Sequence, residues 1–275
     1  MTNLALSEQP DYTAIKTKQN AAWSSGDYAK VGITLQLVGE ELAEAMALPF
    51  GSRALDVAAG NGNATLAMAR RWYKVTSTDY VADLLARGRA RAEAEGLDVD
   101  FQVADAEALP FEDGQFDAVV STYGVMFTPN QSASAQEMNR VCRSGGRIGL
   151  ANWTPESFIG QLFKTLGKYL PPPPGLQSPA RWGTKEFIEA EFGADAADIS
   201  MTLKQFNFRY QSPQQFIDFF RTWYGPVHKA FLALNEEDAK ALEAEMMTLI
   251  ESINIATDGS AIIPADYQEI LITKR

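Results

Sequence analysis

The residues able to do chemistry are concentrated in one turn and the carboxylates around it. In Leu55-Asp56-Val57-Ala58-Ala59-Gly60-Asn61-Gly62-Asn63 an apolar run ends in two glycines one residue apart. Glycine there permits positive φ and lets a ligand approach the backbone with no Cβ in the way. Alone, the same pattern also serves a tight strand-to-helix turn that binds nothing. The surroundings separate the two readings. Asp79 closes the next apolar run, nineteen residues after Gly60, where a carboxylate can accept hydrogen bonds from both hydroxyls of a ribose. A dinucleotide fold wants a third glycine at position 65, which is Thr65, and no phosphate-binding lysine motif follows. Asp56, just ahead of the glycines, would repel a pyrophosphate but suits a ligand with an ammonium group and a sulfonium centre. The balance moves from NAD to S-adenosylmethionine, with an NAD-dependent oxidoreductase as the weaker alternative.

Other chemistries find less support. The chain has one histidine, His228, and one cysteine, Cys142. No zinc-type spacing exists, so no metal is expected. A single cysteine makes no internal disulfide, which fits a reducing compartment. The formal net charge of -11 repels phosphate backbones and disfavours a nucleic acid partner. The densest basic cluster, Arg87, Arg89 and Arg91 beside Glu93 and Glu95, reads as a solvated helix face. The first dozen residues lack a basic and apolar leader pattern, and no run approaches the roughly 20 apolar residues of a membrane span. A cytoplasmic protein without integral membrane association is expected.

The elements that must position these residues follow from periodicity. Apolar spacing predicts a helix over Val31–Leu48, and short apolar runs predict strands at 53–58, 74–79, 99–103, 116–121 and 147–152. Helices fall between them, over residues 63–71, 81–95 and 131–141. That alternation indicates βαβ units and a mostly parallel, doubly wound sheet. After Trp153 come a helix over 155–170, an extended proline run at 171–174, strands at 201–210 and 265–274, and helices at 214–224 and 236–253 between those strands. The expected fold is α/β, Rossmann-like, with seven strands, an antiparallel edge and a helical cap inserted near the C-terminal end. One domain is expected over 1–275: a helical cover (1–50), a cofactor-binding core (51–154) and the C-terminal strands with the cap (155–275).

Five blocks carry a family resemblance: Ala54-Leu55-Asp56-Val57-Ala58-Ala59-Gly60-Asn61-Gly62, Ser77-Thr78-Asp79-Tyr80, Ala104-Asp105-Ala106-Glu107-Ala108-Leu109-Pro110-Phe111, Phe116-Asp117-Ala118-Val119-Val120-Ser121 and Ser144-Gly145-Gly146-Arg147-Ile148. In order and spacing the chain resembles the class I S-adenosylmethionine-dependent methyltransferases, in the broad small-molecule group that includes the ubiquinone and menaquinone enzymes. Ala58-Ala59 stands where that family shows Gly-Cys. The resemblance implies that Asp56 orients the methionine end, directly or through water, and that Ala58, Gly60, Asn61 and Gly62 line its carboxypropyl group. It implies that Asp79 holds the ribose, Tyr80 and Leu84 pack near the adenine, and Asp105 and the Ala106 amide read the ring. Ser121 and its neighbours would offer a carbonyl to the ammonium group, and Tyr28, with Trp23, would fold over the cofactor.

The reaction implied is in-line displacement at a sulfonium methyl, in which alignment and exclusion of water do most of the work. Tyr123, Met126, Phe127 and Trp153 follow the fourth and fifth strands, and Phe216, Phe219, Phe220, Trp223 and Tyr224 crowd the cap. Such walls suit a hydrophobic or aromatic small-molecule acceptor, though at helical spacing most cap aromatics must form the cap's own core. His228 is the one imidazole candidate for a general base. A non-catalytic regulator that binds S-adenosylmethionine would keep the cofactor blocks and lack a closed acceptor pocket.

Overall fold

The computed structural model describes residues 10–275. Residues 1–9 of the expected helical cover therefore lie outside the described residues. The strands are β1 (Arg53–Val57), β2 (Lys74–Asp79), β3 (Val99–Val103), β4 (Phe116–Thr122), β5 (Cys142–Trp153), β6 (Ala196–Tyr210) and β7 (Ala261–Lys274). They form one sheet in the order β3-β2-β1-β4-β5-β7-β6. β1 to β5 pair in parallel, and β7 lies antiparallel between β5 and β6. This is the expected doubly wound sheet with an antiparallel edge. Strand order reverses between β1 and β4, the switch point at which such sheets take ligands.

Helices α1 (Tyr12–Trp23), α2 (Tyr28–Gly32) and α3 (Gln36–Met46) precede the sheet. The crossovers are α4 (Asn63–Arg70), α5 (Ala82–Glu95) and α6 (Gln131–Val141). After β5 come α7 (Phe158–Tyr169) and α8 (Lys185–Phe192), and α9 (Pro213–Trp223), α10 (Gly225–Ala233) and α11 (Glu236–Ile253) are inserted between β6 and β7. β1 is covered on both faces, so Ala54, Leu55 and Val57 are all fully buried and the strand reads as a continuous apolar run. α5 ends at Gly96, whose φ of 66° gives the left-handed stop that suits glycine.

Several boundaries differ from the sequence reading. The helix expected over Val31–Leu48 is broken by a 3-10 turn at Ile33–Leu35, beside which the Gly32 carbonyl accepts a hydrogen bond from Asn63 of the glycine turn. β7 begins at Ala261 rather than 265, although Pro264 suggests a stop. β5 pairs with β7 only from Tyr267 onward, so the proline lies where one side of the strand is open and its missing N–H can be tolerated. The cap aromatics divide. Phe216 and Phe220 stack on each other at 4.0 Å and contact Phe208, forming the cap's own core, whereas Tyr224 faces Trp23 of α1. A Cβ on Gly225 would lie 3.0 Å from the Ala22 carbonyl, so the cap and the N-terminal cover meet backbone to backbone.

Candidate functional site

A cavity of about 900 Å³, counting its solvent-open mouth, lies over the carboxyl ends of β1 to β4. Each strand contributes the residues that follow it: Ala58–Asn61, Asp79–Val81, Ala104–Glu107 and Thr122–Gly124. The floor is made by close backbone approach. Ala58 and Tyr123 both hold positive φ, 52° and 59°, a strained choice for residues with side chains. A Cβ on Gly124 would sit 1.9 Å from the Ala58 carbonyl oxygen, so only glycine fits where the two strand ends touch.

Asp56 is fully buried beneath the turn. Its Oδ2 accepts from the Thr65 amide (2.8 Å) and hydroxyl (2.6 Å), and Oδ1 is buried with no partner. The residue that breaks the dinucleotide pattern is thus the one that holds the Oδ2 of Asp56. Burial pushes the Asp56 carboxyl up to about 7, against the Thr65 hydrogen bonds that lower it and with the nearby Asp79 charge raising it.

Asp79 accepts from the Gly60 amide at 2.9 Å and the Val81 amide at 2.8 Å, one on each oxygen. Burial raises its carboxyl to about 6, opposed by those backbone donors. Each carboxylate oxygen has a second lone pair, and Asp79 lines the cavity. Asp105 takes the Glu107 amide on Oδ1 and the Lys16 ammonium on Oδ2, at 2.9 and 2.6 Å. Lys16 also pairs with Glu107 at 3.0 Å, and Asn20 donates to the Tyr80 carbonyl. α1 therefore lies across this end of the cavity on polar ties, with Ile15 its one buried residue.

The remaining wall is aromatic. Trp23 meets Tyr28 at 5.4 Å and Phe127 at 5.0 Å, both edge-on. The Tyr28 ring stands over Gly60, 3.5 Å from where a Cβ would be. Tyr123 lines the cavity and stacks flat on Trp153 at 4.0 Å. Burial raises the hydroxyl pKa of both Tyr28 and Tyr123, which keeps them protonated.

Among the residues expected to contact a cofactor, Tyr28, Ala58, Gly60, Asn61, Asp79, Tyr80, Leu84, Asp105 and Ala106 all line the cavity. Three do not. Asp56 lies under the turn, and Gly62 caps α4 with φ 83°. Ser121 is fully buried; its hydroxyl donates to the Val57 carbonyl and accepts from the Val125 amide, so its neighbours Thr122 and Tyr123 form the wall instead. His228 is also absent from the wall, with Nδ1 2.9 Å from the Arg221 carbonyl. Met126 and Trp153 sit behind it, in the core. Sequence reasoning missed Lys16, Asn63, Glu107 and Thr128. The pair Asp105-x-Glu107 was visible, but its partner Lys16 lies 89 residues away.

A family model and a named relative point to the same family. A family model described as a methyltransferase domain matches residues 55–150. An uncharacterized protein of Mycobacterium tuberculosis is 39% identical over 242 residues, covering 85% of this chain and 87% of its own. A demethylmenaquinone methyltransferase of Thermus thermophilus is 32% identical over 167 residues, covering 58% of this chain and 76% of its own. Among solved structures, the YcgJ protein of Bacillus subtilis superposes with a TM-score of 0.56 at 19% identity, covering 86% of this chain and 98% of its own; that likeness concerns the fold alone. No helix among the described residues is long and apolar enough to cross a membrane.

Proposed function

Because the chain belongs to the class I S-adenosylmethionine-dependent methyltransferases, we propose that it methylates a small, aromatic or otherwise flat apolar acceptor. The cavity fits the cofactor. Asp79 keeps free lone pairs for two ribose hydroxyls, Gly60 leaves open the space in front of Tyr28, and Asn61 Nδ2 is a buried donor without a partner. Asp79 would hold the ribose, Asp105 and Ala106 the adenine, and the turn from Ala58 to Asn61 the methionine end, with Asp56 shaping that turn from below. When bound, the cofactor supplies an electrophilic methyl group on a sulfonium.

One observation carries the acceptor reading: the wall of Trp23, Tyr123 and Phe127 holds no charged side chain, whereas Lys16, Asp105 and Glu107 are drawn together elsewhere in the cavity and Asp79 is held at the Gly60 turn. Lys16, the cation of the cavity wall, is already paired with two carboxylates and is not free to hold a phosphate. Rings of this kind enclose a flat apolar body and exclude water. The name of the Thermus thermophilus relative, a demethylmenaquinone methyltransferase, supports an aromatic acceptor. The tyrosine hydroxyls stay protonated and His228 stands outside the wall, so the acceptor brings its own nucleophile, as a phenolate, an enolate or an unprotonated amine. The test is transfer of a labelled methyl group to a panel of phenols, quinols, aliphatic amines, phosphorylated metabolites and RNA. Preference for neutral aromatics supports the reading. Preference for phosphorylated acceptors or RNA sinks it, and no turnover beside tight cofactor binding would favour a non-catalytic binder.

A further inference from the structure

Arg91 lies on α5 among arginines whose pattern is that of a solvated face, and two of them behave so: Arg87 reaches Asp27, and Arg89 the Phe101 carbonyl, both at the surface. Arg91 does something else. Its Nη1 donates to the Asn61 carbonyl at 2.7 Å and to the Asn63 Oδ1 at 2.9 Å. It is half-buried, and among the described residues it makes no ion pair, although Glu93 and Glu95 lie on the same helix. A guanidinium taken partly out of water and aimed at neutral acceptors in a ligand turn is an arrangement for holding that turn.

The turn needs holding. Ala58, Gly60 and Gly62 all have positive φ, and the turn's own backbone hydrogen bond, from the Gly62 amide to the Ala59 carbonyl at 2.9 Å, leaves the Asn61 carbonyl to Arg91. α5 presses there directly: a Cβ on Gly88 would lie 3.4 Å from the Asn61 carbonyl carbon. Beyond the turn the contact continues into the N-terminal cover. Asn63 Nδ2 donates to the Gly32 carbonyl at 2.7 Å, and Asn61 Oδ1 fills the space a Gly32 side chain would need, 2.2 Å from its Cβ position. We propose that Arg91 is a positioning residue for the cofactor, setting the turn from Ala58 to Asn63 in its binding shape and, through Asn63, keying α2 and Tyr28 to it. The inference rests on the cofactor reading of the cavity.

The experiment compares the wild type, R91A, R91K and the charge-matched control R89A. One arm is titration calorimetry with S-adenosylhomocysteine, and the other is amide hydrogen exchange of residues 58–64 in the ligand-free protein. The expected result for R91A is binding weakened about 10- to 100-fold, with faster exchange in the turn and a melting temperature close to wild type. R91K should recover part of the affinity, because an ammonium keeps the charge and a donor for the Asn61 carbonyl but not the planar Nη1 amino group that serves both acceptors. R89A should match the wild type in both arms. R91A binding within threefold of wild type, an unchanged exchange pattern, or an equal loss in R89A would overturn the proposal. Wild-type protein that binds no S-adenosylhomocysteine would overturn the cofactor reading and this inference with it.

Discussion

The two walls of the cavity are built from different materials and held in different ways. One takes Ala58–Asn61, Asp79–Val81 and Ala104–Glu107 from the residues just past three neighbouring strands, and backbone donors fix its carboxylates. The other takes Trp23 and Tyr28 from the N-terminal cover and Phe127 from a turn about a hundred residues later, and rings hold rings. A wall of directed hydrogen bonds rejects a ligand that lacks the matching groups by large factors, because its own polar groups are then left unpaired. An apolar wall discriminates only by shape, at about 1–3 kcal/mol per methylene. The contrast implies strictness towards the cofactor and tolerance towards the acceptor.

The largest break in that contrast should come from Asp79→Ala. Losing the carboxylate proposed to receive both ribose hydroxyls should remove about 3–4 kcal/mol, so S-adenosylhomocysteine affinity should fall on the order of 100- to 1000-fold by calorimetry. Affinity within tenfold of wild type would mean the polar wall is misassigned.

A second difference should show in the ligand-free protein's response to pH. Asp56 and Asp79 have carboxyls raised by burial to about 7 and about 6. Between about pH 4 and 7 the folded chain therefore holds protons that the unfolded chain has released, and stability falls as pH rises through that window. At about 1.4 kcal/mol per pKa unit, the loss should be roughly 2–4 kcal/mol, read from urea denaturation at pH 5 and pH 8. Asp117 and Glu137, held low by hydrogen bonds from Arg143 and Arg140, act with the opposite sign below that window. Asp56→Asn should remove the larger share of the slope and leave the smaller share of Asp79, and an unchanged slope in that variant would refute the assignment.

The aromatic wall should give the smallest effect. Trp23→Ala should lower kcat/KM for an accepted aromatic substrate roughly 10- to 100-fold, while S-adenosylhomocysteine affinity moves less than about threefold and the pH slope stays. Equal losses in both measurements would show that Trp23 serves the cofactor rather than the acceptor.

The same contrast explains what could be read in advance. Gly60, Asn61, Asp79 and Asp105 stand in short contiguous blocks, and a strand followed by a polar turn is local information, so most of the polar wall was legible. Of Ser121 and its neighbours, only Thr122 and Tyr123 line the cavity, because the Ser121 hydroxyl turns back to Val57 on β1, a choice made by the neighbouring strand. α1 was hard to place over the cavity because it buries only Ile15 and is held by Lys16 and Asn20, whose partners are far along the chain. Arg91 looked like its neighbours, since periodicity does not tell a solvated arginine from one folded under a turn. The cap aromatics could not be divided in sequence between core and wall, because Phe216, Phe220 and Tyr224 all lie on one helical repeat and only Tyr224 meets Trp23.

The place of β7 has a consequence for how the molecule assembles. β6 joins the sheet only through β7, its partner along the register from Ala196 to Tyr210, and the whole helical cap lies between the two strands in the chain. During synthesis β6 leaves the ribosome well before β7, so a 15-residue strand waits without its hydrogen-bonding neighbour while α9, α10 and α11 are made. Such long-range pairing is slow to form, and an unpaired strand is exposed to association in the meantime. The first cap helix, α9, packs Phe216 and Phe220 against Phe208 of that same strand, so it shelters one of its faces before the sheet can close around its edge.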